Sequence, residues 1–63
     1  MRGMVVEIIP SADLSRLRLQ SLVGRRGVVV AKGGKGGYWV NFGSLYHNEQ
    51  EWFIPTKSLQ IIM

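Results

Sequence analysis

β-Branched residues occur in this chain as short runs, each cut off by glycine or proline, and that punctuation restricts it to a fold of short strands. Seven Val, five Ile and one Thr favour pleated, half-buried backbone. The first run, Met4-Val5-Val6-Glu7-Ile8-Ile9, stops at Pro10, which has no N–H to continue a ladder. Gly24-Arg25-Arg26-Gly27 reads as a tight turn into Val28-Val29-Val30-Ala31, the most strongly β run. Lys32-Gly33-Gly34-Lys35-Gly36-Gly37 follows, and four glycines in six residues suit neither helix nor strand. Tyr38-Trp39-Val40-Asn41-Phe42 then alternates, with Tyr38, Val40 and Phe42 on one face and Trp39 on the other. A polar stretch, 43–50, leads to a fourth strand, Glu51-Trp52-Phe53-Ile54. Pro55-Thr56-Lys57-Ser58 reads as one 3₁₀ turn, and Leu59-Gln60-Ile61-Ile62-Met63 as a closing strand.

One stretch has a helical flavour. Ser11 is placed to cap a turn, and Leu14, Leu17 and Leu22 fall roughly on one face. Arg16-Leu17-Arg18-Leu19-Gln20 also alternates, however, as a hairpin arm would. The expectation is a long ordered first loop with Leu14, Leu17 and Leu22 tucked beneath it.

Leu, Ile, Val and Phe make up 20 of the 63 residues, too many for a disordered chain and enough for one domain spanning 1–63. A domain of this size buries only about 60% of the surface its unfolded chain exposes. With no Cys, no disulfide or thiolate metal site can reinforce it. A tight core or homo-oligomerisation must serve instead. The longest apolar run is Val28 to Ala31, far below the roughly 20 residues that span a bilayer. The first residues lack a secretory pattern, so a cytoplasmic protein is expected, with no membrane partner.

Five short strands, a long first loop and a 3₁₀ turn before the last strand make the plan of an all-β, five-stranded SH3-like barrel. Ile54-Pro55-Thr56-Lys57-Ser58-Leu59-Gln60-Ile61-Ile62 resembles the end of SH3 domains, where an aliphatic-Pro turn drops into the closing strand. Leu22-Val23-Gly24-Arg25-Arg26-Gly27-Val28-Val29 resembles the KOW motif of ribosomal and transcription-elongation proteins. Small SH3-like subunits of photosynthetic complexes share the layout. The chain departs from these patterns in two places. Pro10 to Val23 intervenes where KOW motifs have a few residues. The first loop has no aromatic residue, and Ser58 stands where SH3 domains that bind proline-rich peptides carry Tyr. Polyproline peptides dock on aromatic-lined grooves, so that ligand is not implied.

Charge is unevenly distributed. Residues 1–37 hold seven Lys/Arg and two acids, a net +5, whereas 38–63 sum to −1. Arg16, Arg18, Arg25, Arg26, Lys32 and Lys35 would bind phosphates if they formed one stripe. Six aromatic residues lie between Tyr38 and Phe53, and an exposed Tyr38 or Trp39 would stack on a base or anchor a protein interface. The expected function is a non-enzymatic binding module. Nucleic acid is the first candidate ligand, and a protein partner or second copy is the alternative, with the basic residues then serving solubility.

Catalysis finds little to stand on. Lys35 is followed by Gly36 and Gly37 rather than Ser or Thr and a helix, so the glycine run is a hairpin loop and not a phosphate loop. His47 is the only His, and with Glu49 and Glu51 it reads as ordinary loop composition, with no metal or other cofactor expected. Ser44 and Ser58 have no recognisable base. Type II plasmid-borne dihydrofolate reductases are similar in fold and length, but this chain reads Glu51-Trp52-Phe53-Ile54-Pro55 where they carry the Gln and Tyr their activity needs.

Overall fold

A computed structural model describes residues 2–34, 36–46 and 48–62, the side chains of 44–46 excepted. It contains five strands, β1 Val5–Ile8, β2 Arg26–Lys32, β3 Gly37–Tyr46, β4 Glu49–Pro55 and β5 Leu59–Ile61. They form one antiparallel sheet in the order β4-β3-β2-β1-β5. The two edge strands, β4 and β5, are joined only through a 3₁₀ turn, Thr56–Ser58. Laid flat, five strands would put those edges about 19 Å apart, whereas a 3₁₀ turn rises about 2 Å per residue. The sheet must therefore curl around its core. The all-β plan and the turn before the last strand agree with the expectation from sequence.

The first connection differs from it. Residues 11–22 are not a bare loop but a short helix α1, Ala12–Arg16, followed by a 3₁₀ turn, Gln20–Leu22. Ser11 caps α1 as its residue type suggests, its hydroxyl accepting from the Leu14 N–H at 3.1 Å. That hydroxyl also bonds Ser58 Oγ at 2.5 Å, so the helix start is tied to the 3₁₀ turn that precedes β5. Ser58 itself is wholly buried. The helix ends because Arg18 turns left-handed, at φ 58°, which breaks the periodicity. Leu14 and Leu22 are buried as expected, but Leu17 is 45% exposed. The break after α1 carries Leu17 off the face that Leu14 and Leu22 share.

The core consists of Val6, Ile8, Leu14, Leu22, Val29, Val40 and Ile54, with Leu19, Tyr38, Phe42, Trp52 and Leu59 packed around it. Burying each aliphatic side chain contributes about 1.5–3 kcal/mol before chain entropy is set against it. Gly27 is part of this packing, because a Cβ there would lie 2.7 Å from the Asn41 carbonyl oxygen. Arg26 and Gly27, expected in a tight turn, thus belong to β2, and the missing side chain of Gly27 lets β2 and β3 approach. Strand boundaries run wider than the apolar runs suggest. β2 begins at Arg26, and β3 and β4 extend into the polar stretch, where Tyr46 pairs with Glu49. Backbone pairing, unlike burial, requires no apolar side chain.

Candidate binding groove

Trp39 lies on the outer face of β3, opposite Phe53 of β4 and Ala31 of β2. It is 42% exposed, and its ring meets Phe53 edge to face, with centroids 5.9 Å apart and planes at 71°. Phe53 is positioned by glycines. A Cβ on Gly37 would sit 2.3 Å from its Cζ, and one on Gly33 would sit 2.5 Å from its Cε1. The ring occupies the space those two missing side chains leave. The Gly33 N–H donates to the Gly37 carbonyl at 3.0 Å, and the Thr56 N–H and hydroxyl both donate to the Gly36 carbonyl, at 2.8 and 2.9 Å. Part of the glycine-rich loop is therefore bound down against β4 and its 3₁₀ turn.

The segment after α1 closes the other side. Leu17 and Leu19 face Trp39, Trp52 and Phe53 across a groove of about 390 Å³, and Glu49 and Glu51 complete its lining. That volume lies within the range of ligand sites, roughly 300–1,000 Å³. Trp52 is anchored by its indole N–H, which donates to the Glu49 carbonyl at 3.2 Å. A second depression, lined by Asp13, Arg16, Leu17, Gly36, Phe53 and Pro55, continues the groove through the shared Leu17 and Phe53. Within it, Arg16 and Asp13 pair at 3.3 Å with both side chains exposed, a contact worth at most about 1 kcal/mol. Among the described residues, Glu49 and Glu51 are in no ion pair.

The residues expected to bind phosphate come from several elements. Arg26 opens β2 and Lys32 ends it, about 20 Å away at 3.3 Å per residue. Arg26 pairs with Glu7 at 3.2 Å. Arg25 is half-buried, and its carbonyl accepts from the Ile8 N–H at 2.9 Å. Arg16 lies beside Gly36 and Phe53, and Arg18 is exposed at the turn after α1. Lys35 and His47 are outside the described residues. Tyr38 packs against the core, leaving Trp39 as the exposed member of the pair. The neighbours of Trp39 in its groove are acidic and apolar, with no Lys or Arg in the lining.

Leu17, Leu19, Glu49, Glu51, Trp52 and Phe53 are the groove residues that the sequence did not mark as sites. The alternation of Arg16-Leu17-Arg18-Leu19 carried part of the signal, since such a segment shows leucines to one side. The pairing of Glu51 with Asn41 and of Phe53 with Trp39 needs the register of β3 on β4, which no local pattern specifies.

Among the described residues, no three His, Cys, Asp or Glu side chains come together as a metal site would need, and no helix is long and apolar enough to cross a membrane. No family model, curated protein or solved structure matches the chain.

Proposed function

We propose that this chain is an SH3-like, non-enzymatic interaction module that docks a segment of another protein in the groove between its first loop and β3–β4. One observation carries the reading: the exposed Trp39 stands among Leu17, Leu19, Trp52 and Phe53 with two carboxylates and, among the described residues, no Lys or Arg in the lining of that groove, Arg16 lying in the depression that continues it. Exposed Trp in a concave apolar setting is the usual anchor of an interface. Glu49 and Glu51 repel phosphate and favour a cationic group, which Trp39 can also hold against its ring face. The fitting partner is a segment with Arg or Lys among aliphatic residues. The strand order, the long first connection and the 3₁₀ turn before β5 support the SH3-like assignment.

Selection of random displayed peptides on the wild-type protein and on Trp39→Ala tests this. Peptides retained by the wild type and lost on the variant should be enriched in Arg or Lys. Finding no Trp39-dependent peptide would sink the groove as a docking site.

A second reading, nucleic acid, is favoured by the net charge of +4, by exposed Arg16, Arg18, Arg26 and Lys32, and by the KOW-like turn at Gly24–Gly27. It places phosphates on those side chains and away from Trp39. Titration with single-stranded oligothymidylate at low salt separates the two. The nucleic-acid reading requires amide shifts at Arg18 and Lys32 and a log–log salt slope near the number of phosphate contacts.

A further inference from the structure

β2 carries Val28, Val29 and Val30 in succession, and an unbroken run of this kind suits a strand covered on both faces. The core covers one face, where Val29 is buried. On the other, Val28 pairs with Val5 of β1 and Asn41 of β3, and Val5 and Val28 are 43% and 39% exposed. With Val30 and Phe42 they line a shallow depression of about 410 Å³. Two residues along the same face, Glu7 and Arg26 are cross-strand partners joined at 3.2 Å.

We infer that this face is where a second copy of the chain docks. A two-fold interface uses one patch twice, so the patch must complement itself, residue i meeting j while j meets i. An aliphatic stripe flanked by one cation and one anion does so. A two-fold axis lying in the interface, parallel to the strands and between β1 and β2, sets Arg26 of each copy against Glu7 of the other. Charge also selects the partner. The molecule carries +4, and its copies meet with least repulsion where a basic residue is offset by an acid, as Arg26 is by Glu7 beside this stripe. A strongly acidic or basic partner gains nothing here. A second copy gains burial for Val5 and Val28, which no element among the described residues covers.

Sedimentation equilibrium of the full chain, from about 10 μM to about 1 mM, tests this, a range that brackets weak and moderate dimers. The wild type should pass from monomer to dimer, and Val28→Lys should remain monomeric. Arg26→Glu and Glu7→Arg should each weaken the dimer about tenfold or more, equivalent to about 1.4 kcal/mol. Mixed in equal amounts they should pair with each other more tightly than either with itself, because opposite charges then face across the interface. A within-chain role for the Arg26–Glu7 pair cannot produce that rescue, and the mixing experiment decides even if Val28→Lys fails to fold. A wild type monomeric throughout, or a mixture no tighter than its components, overturns the inference.

Discussion

The two apolar surfaces of this molecule are built on opposite principles. The groove brings together Leu17 and Leu19 from the first connection, Trp39 from β3, and Trp52 and Phe53 from β4. The outer face of β1–β3 draws Val5, Val28 and Val30 from strands that are direct neighbours. The first is aromatic, concave and acidic; the second is aliphatic, shallow and charge-balanced. Carboxylates that pair with no cation among the described residues, beside an exposed Trp, fit the basic segment proposed above. A stripe of valines with an adjoining ion pair fits the second copy inferred above. One small sheet can thus present two surfaces without confusing their partners, because unlike charge patterns suppress the wrong pairing.

The largest effect should come from the core beneath the groove. Leu14→Ala should cost about 2–5 kcal/mol, read as a fall in the urea midpoint. Since Leu14 belongs to α1, the groove should be affected before the valine face. Next in size, Gly37→Ala should cost about 1–3 kcal/mol, because its Cβ would strike Phe53 and lie 2.8 Å from the Ile54 carbonyl oxygen. Gly34→Ala, with nothing within 4 Å of its Cβ, should stay within about 0.5 kcal/mol by the same measurement. Equal effects at the two glycines would refute the account of the loop as a seat for Phe53.

Ser58→Ala should cost about 1 kcal/mol by removing the tie between the 3₁₀ turn and the Ser11 cap. Thermal unfolding measures that loss, and peptide affinity at the groove should fall with it, because Leu17 and Leu19 hang from α1. The smallest effect sharpens the contrast in charge. Glu49→Gln with Glu51→Gln should weaken a Trp39-dependent basic peptide severalfold and flatten its salt dependence, without changing dimerisation. Titrations at two ionic strengths, alongside sedimentation, provide both readings.

Much of the fold was legible because its signals are local. Pro10 ends the first run before the connection begins, Ser11 caps the helix that follows, and Pro55 precedes the 3₁₀ turn. Alternation in β3 correctly separates Val40, with Tyr38 and Phe42, from Trp39. The helix within 11–22 was obscured by residues compatible with two periodicities at once. The exposure of Leu17 depends on the left-handed Arg18, a position where a non-glycine residue gives no advance signal. The glycine-rich loop was legible as a loop, but its role was not. Whether a glycine is there for freedom or for space depends on what stands opposite, and Phe53 is sixteen residues beyond Gly37.

Five strands of an all-β chain, the burial of Leu14 and Leu22, a cap at Ser11 and the surplus of positive charge could be read from the sequence alone, because strand periodicity, turn chemistry and charge are properties of neighbours along the chain. Which charges stand together depends on the folded chain, which pairs Arg26 with Glu7 and Arg16 with Asp13 and brings Glu49 and Glu51 to Trp39. The reason is strand register: a shift of one residue between β3 and β4 would turn Phe53 and Glu51 away from Trp39, and register is a relation between distant segments that the composition of neither contains.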